Sequence, residues 1–132
     1  MHLILCIDER DGLHFCGKRL SSDRALTDYI LQHTKDSKLW MNAYSANLFA
    51  ADHVCVDEAF LYKASDEEYC LLENIQLKPD IQPKSILLCH WNRSYPSTSK
   101  FDRSMLAGMQ LESVVDFPGN SHERITVERY IL

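Results

Sequence analysis

Three groups of residues carry side chains able to do chemistry. The first is Lys18-Arg19-Leu-Ser-Ser-Asp23-Arg24, one carboxylate among three cations. A carboxylate in a cleft can hold a heterocycle through two hydrogen bonds, and burial would raise its pKa. Arg19 and Arg24 flank it and can hold an anion near a helix start. Asp23 also has a plain structural use, because the first turn of a helix favours negative charge. The second group is Cys89-His90-Trp91. Strand alternation sends Cys89 and His90 to opposite faces, so they do not form a nucleophile and its base. His90 alone titrates near neutrality and could act as a base, against the plainer reading of a core thiol beside a surface imidazole. The third is Gly119-Asn-Ser-His122-Glu123-Arg124, the densest polar cluster. Its His122, Glu123 and Arg124 could bind a ligand, or work with Asp23 as acid and base. Such clusters beside turns are also commonly no more than solvated loops.

Metal chemistry finds no support in the spacing. The six His are His2, His14, His33, His53, His90 and His122, and none forms His-x-His, His-x-x-x-His or a Cys/His pair at zinc spacing. No P-loop, Gly-x-Gly-x-x-Gly or Gly-x-Ser-x-Gly run occurs either.

The elements that must position these groups follow from hydrophobic pattern. Leu3–Asp8, Lys38–Asn42, Val54–Val56, Tyr69–Leu72 and Ile86–Cys89 read as strands. Tyr69–Leu72 and Ile86–Cys89 are continuously apolar, as strands buried on both faces are. A helix starts at Ser21 or Ser22, both good N-caps, with Ala25, Leu26, Tyr29, Ile30 and His33 on one face. Shorter helices are expected over Tyr44–Ala51 and from an Asp57 cap to Ala64, and Leu13–Gly17 reads as a loop or short extended piece. Met109–Val115 and Ile125–Ile131 flank Phe117-Pro-Gly-Asn120, the pattern of an antiparallel hairpin. Strands alternating with helices give an α/β sheet with a parallel centre, in one domain over residues 1–132.

Composition narrows the function classes. With 45% hydrophobic and 25% charged residues and only four Gly and four Pro, the chain is an ordinary globular one rather than a disordered segment. Its net charge of −5 argues against generic binding to a nucleic-acid backbone. No apolar run approaches the roughly 20 residues of a membrane span, and Met1–Asp8 reads as a strand rather than a signal peptide. Five Cys, an odd count without Cys-x-x-Cys, point to reduced thiols and a cytoplasmic protein.

The order of elements resembles dihydrofolate reductase over nearly the whole chain. Leu20-Ser-Ser-Asp23 is similar to that family's Leu-Pro-x-Asp, whose acid holds the pterin. Leu39-Trp-Met-Asn-Ala43 resembles the strand ending in Met-Gly-Arg, and Ile86–Trp91 resembles the strand ending Leu-Thr-Arg-Ile. Ser97-Thr-Ser-Lys-Phe101 sits where the family has Asp-Thr-Phe-Phe-Pro. The resemblance implies a twisted, mostly parallel sheet with flanking helices and a C-terminal antiparallel hairpin. It also implies a cleft around Asp23 for a small heterocycle or nucleotide-like ligand, walled by Trp40, Tyr44 or Trp91, with Cys89 in place of a threonine near the pterin acid. The departures fall at the cofactor. Glu73-Asn74 replaces the family's Gly-Gly, and Asn42-Ala43 replaces Gly-Arg. Side chains then stand where a phosphate needs close backbone approach, and a cation is lost. A shortened relative that no longer binds NADPH is therefore expected. An atypical pterin- or flavin-type reductase, a metal-free nuclease and a non-catalytic interaction protein, with a homodimer through a sheet edge, are the alternatives. The chain also resembles short bacterial proteins labelled ribonuclease Z, but it lacks that enzyme's His-x-His-x-Asp-His motif.

Overall fold

The computed structural model describes residues 1–132. Ten strands run β1 His2–Ile7, β2 Gly12–Phe15, β3 Lys18–Arg19, β4 Leu39–Met41, β5 Val54–Val56, β6 Tyr69–Leu72, β7 Ser85–His90, β8 Ser99–Lys100, β9 Gln110–Phe117 and β10 Ile125–Ile131. The helices are α1 Arg24–His33 and α2 Ala43–Ala46. The main sheet has seven strands in the order β5-β4-β6-β1-β7-β10-β9, and β3-β2-β8 form a small second sheet. Strands β5, β4, β6, β1 and β7 are mutually parallel. Strand β10 runs antiparallel to β7 and to β9. This is the mostly parallel sheet with a C-terminal hairpin that the pattern implied.

The continuous apolar runs have the expected cause. Alternate residues of β1 serve opposite cores: Ile4 packs with Leu26, Ile30, Leu71, Leu87 and Cys89, whereas Leu3, Leu5 and Ile7 pack with Phe60, Leu72, Leu88 and Phe101. Helix α1 buries Leu26 and Ile30 on the first of these faces. The second face has no long helix. Residues 73–84, which cross from β6 to β7, contain no helix, and Leu77 and Ile81 line a cavity of about 400 Å³ there with Leu5, Leu13, Phe101 and Met105. No helix is long and apolar enough to cross a membrane.

Three local expectations are corrected. Helix α1 starts at Arg24, and its N-cap is Asp23 rather than Ser21 or Ser22. The helix expected over Tyr44–Ala51 is only the turn Ala43–Ala46, whose start Asn42 caps by accepting from Ser45 N at 3.1 Å. The helix expected from Asp57 to Ala64 is a single turn, Phe60–Tyr62, held by one buried anchor, Phe60. Of the two readings of Leu13–Gly17, the short extended piece is the one found: β2 turns into β3 through Cys16 and Gly17, with φ of 49° and 76°. Two successive positive φ values are what a tight hairpin turn of matching twist demands, and glycine tolerates one of them without strain.

Candidate functional site

The parallel strands end at one edge of the sheet, and in open α/β sheets that edge is where ligands bind. Asp8 follows β1, Asn42 follows β4, Glu73 and Asn74 follow β6, and Trp91 follows β7. Because β10 is antiparallel, the residues leading into it reach the same edge, which brings His122 beside Trp91. Their rings stack with centroids 5.0 Å apart.

Asp23 is buried, and its carboxylate is satisfied from within the protein. Oδ1 accepts from Ala25 N and Asn120 N, both at 2.9 Å. Oδ2 accepts from Ser121 N at 2.8 Å, His122 N at 3.1 Å, His122 Nδ1 at 2.9 Å and Ser121 Oγ at 3.2 Å. The side chain is 0% exposed. Burial pushes the carboxyl up, but the main-chain N–H groups of Asn120, Ser121 and Ala25 and the His122 ring outweigh it and hold the group far below the usual carboxylate range. The expected upward shift is thus reversed. Asp23 joins the start of α1 to the turn before β10. The fit is tight enough that a Cβ on Gly119 would lie 2.7 Å from Asp23 Oδ2 and 2.6 Å from the His122 carbonyl.

On the far side of His122 the chain of hydrogen bonds continues. Nε2 lies 2.9 Å from the Tyr95 hydroxyl and 3.2 Å from Ser21 Oγ, and Tyr95 OH donates to Ser21 Oγ at 3.3 Å. Since Nδ1 faces a carboxylate, it carries the ring proton, and Nε2 offers its lone pair to the hydroxyls. Tyr95 is positioned by Asp8, whose buried carboxylate accepts from Tyr95 N at 2.9 Å and Gly12 N at 2.7 Å. An ionised acid, an imidazole and two half-exposed hydroxyls in series can pass a proton from Ser21 or Tyr95 to His122.

A second cluster adjoins the end of β6. The Arg19 guanidinium donates to both Glu73 oxygens at 2.9 Å, and the Glu73 side chain is 5% exposed. Glu73 raises the Arg19 pKa further. The same guanidinium lies 4.4 Å from the centre of the Tyr44 ring, and Tyr44 Oη accepts from Arg19 N at 3.0 Å. Asn74 donates to the Gly17 carbonyl at 3.1 Å and accepts from Asn42 at 2.9 Å. These contacts tie the β2–β3 hairpin down over the ends of β4 and β6.

Arg24 stays beside Asp23, and the two line an open concavity of about 460 Å³ with Thr27, Leu31, Leu48 and Ser121 among others, while the remaining candidates scatter. Glu123 lines a different, polar concavity with Trp91, Arg93 and Arg124. Cys89 is buried beside Cys6, its register partner, and that neighbour, together with burial, pushes the Cys6 thiol well up. His90 pairs with Glu128 on the opposite face from Cys89. Trp40 is no wall of an Asp23 cleft: it packs on the other face of the sheet and donates to Glu68 at 3.0 Å. No group of three or more His, Cys, Asp and Glu side chains converges as a metal site would require. Sequence reasoning missed Tyr95 and Asp8, and treated Ser21 only as a cap. No local signal marks Tyr95, which meets His122 across 27 positions of chain.

A dihydrofolate reductase from Enterococcus faecalis, solved with NADP(H) and RAB-propyl, is similar in structure, with a TM-score of 0.68 and 12% identity over 98% of this chain and 94% of that one. At that identity the likeness shows a shared fold, which is dihydrofolate-reductase-like. No family model matches the sequence, and none of the curated proteins does.

Proposed function

We propose that this protein is a small-molecule-binding member of the dihydrofolate-reductase-like fold that does not carry out NADPH-dependent reduction. The observation that carries this reading is the bidentate Arg19–Glu73 pair at the end of β6. A phosphate approaching there meets a carboxylate, and the nearby guanidinium already has its charge neutralised and its donor fork filled. Releasing Arg19 to a phosphate would leave Glu73, 5% exposed, without a partner. The ligand is a small heterocycle or nucleotide-like molecule in the concavity beside the α1 start. Leu31 and Leu48 give a ring an apolar surface, while Ser22, Thr27, Asp28, Asn120 and Ser121 offer donors and acceptors and Arg24 a cation. Asp23 also lines this concavity, but its carboxylate is 0% exposed and does not itself hold the ligand.

Thermal-shift screening with pterins, nucleosides, nucleotides and NADPH tests the proposal. A ligand at 100 times its Kd adds about 2.7 kcal/mol to stability and raises Tm accordingly. We expect a shift with one of the first three classes that Leu48→Asp abolishes, and none with NADPH. A shift with NADPH alone, or one insensitive to Leu48→Asp, contradicts it.

A further inference from the structure

We propose that Ser21, His122 and Asp23 form a nucleophilic-serine site that hydrolyses small carboxylic esters. The inference does not depend on the ligand-binding proposal above, since it rests on a different set of contacts. Asp23 Oδ2 to His122 Nδ1 is 2.9 Å, and His122 Nε2 to Ser21 Oγ is 3.2 Å. These are the distances within which a base activates a hydroxyl and a third group orients the base. The imidazole has one position, because Trp91 stacks on its face and Asp23 holds its edge. Ser21 is half-buried rather than sealed, and the residue after it, Ser22, lines the open concavity beside Arg24.

The surroundings supply the other requirement of acyl transfer, donors for a developing oxyanion. The main-chain N–H groups of Ser22 and Asp23 make no hydrogen bond within the protein, and they stand just ahead of the ten-residue helix α1. Free N–H groups at the positive end of a helix suit an oxygen that gains negative charge. Tyr95 OH, which donates to Ser21 Oγ at 3.3 Å and lies 2.9 Å from His122 Nε2, bridges the two side chains and positions them.

The chemistry balances without a further reactant except water. Ser21 Oγ attacks the ester carbonyl carbon while its proton passes to His122 Nε2, and the carbonyl electron pair moves onto oxygen. Collapse re-forms the carbonyl and breaks the bond to the leaving alkoxide, which takes the proton from His122. Water then attacks the acyl-serine, gives its proton to Nε2, and releases the carboxylic acid as Ser21 regains its hydrogen. Ser21 and His122 are catalytic residues on this scheme. Asp23 and Tyr95 are positioning residues.

A fluorophosphonate probe, from which an activated serine displaces fluoride, tests the assignment by intact mass and peptide mapping on the native protein. We expect one adduct per chain at Ser21, absent from Ser21→Ala, unchanged in the exposed control Ser104→Ala, and absent when the protein is first unfolded in urea. His122→Gln should slow labelling by about 100-fold or more, the usual worth of a positioned base. Tyr95→Phe should slow it less, and p-nitrophenyl acetate should show the same order of rates. No adduct at Ser21, or an equal rate in native and urea-unfolded protein, overturns the proposal even if the His122 variant fails to fold.

Discussion

Replacing Asp23 by Asn removes one oxygen and one charge, and the local structure makes that change severe. Asn is a good helix cap, so on capping alone the substitution would be nearly neutral. Here, however, each carboxylate oxygen serves two main-chain N–H groups: Ala25 and Asn120 on Oδ1, Ser121 and His122 on Oδ2. An Asn side chain has one acceptor and turns an NH₂ toward the other pair. Whichever way the amide is turned, two N–H groups lose their acceptor and face a donor. At about 1–3 kcal/mol for each unsatisfied buried group, with the charge-assisted bond to His122 also lost, the loss is about 3–5 kcal/mol. That is a large share of the roughly 5–15 kcal/mol that holds a domain folded. Because the Asp23 carboxyl is held below its unfolded value, its contribution is complete above about pH 4 and falls away as pH drops toward the folded pKa. Urea unfolding at pH 7 and pH 3.5 measures both effects. The wild type should exceed Asp23→Asn by about 3–5 kcal/mol at pH 7, and by less at pH 3.5. A difference under about 1 kcal/mol at pH 7 refutes the assignment of Asp23 as a saturated clamp.

Three further outcomes are expected. Gly119→Ala places a methyl group 2.6–2.7 Å from the His122 carbonyl and Asp23 Oδ2, so urea unfolding should show a loss of about 1–3 kcal/mol. Arg19→Met leaves the Glu73 carboxylate buried without its partner and should destabilise by about 3 kcal/mol, whereas Arg19→Met with Glu73→Leu should recover most of it in a double-mutant cycle. Among the thiols, burial pushes Cys70 up to about 12, and Cys6 is also raised, while Cys16 is exposed. Labelling of native protein at pH 7.5 should therefore be fast at Cys16 alone, followed by the others on unfolding, and fast modification of Cys70 would contradict its burial.

Much of the fold could be read from the sequence because burial on two faces leaves a continuous apolar run. Strands β1, β6 and β7 form the centre of the sheet and are such runs, and the β9–β10 hairpin carries alternation around a Pro-Gly turn. The β2–β3 hairpin was hidden because its turn is Cys16-Gly17, a pair without the usual Asn or Asp signal, so its two positive φ values are imposed by tertiary contacts such as Asn74 on the Gly17 carbonyl. The Asp57 segment has a helix-like start but buries only Phe60 fully, with Leu61 and Ala64 partly buried beside it, and so short an apolar stretch does not sustain a helix. At the site, residue types drew attention to Asp23 and His122, which do meet. Whether the carboxylate faced a ligand or the protein depended on main-chain N–H groups of Asn120 and Ser121, some 97 positions away, and side-chain patterns carry no record of those. Glu73 drew attention as an obstacle to phosphate, but its partner, Arg19, lies 54 positions earlier and could not be assigned from spacing.

Calorimetric titration of the wild-type protein with NADPH, followed in parallel by nicotinamide fluorescence, reads the consequence of the Arg19–Glu73 pair most directly. With the buried Arg19–Glu73 pair at the end of β6, no saturable binding is expected up to about 1 mM, a free energy weaker than roughly −4 kcal/mol. A Kd of about 10 μM or tighter, near −7 kcal/mol, would contradict it.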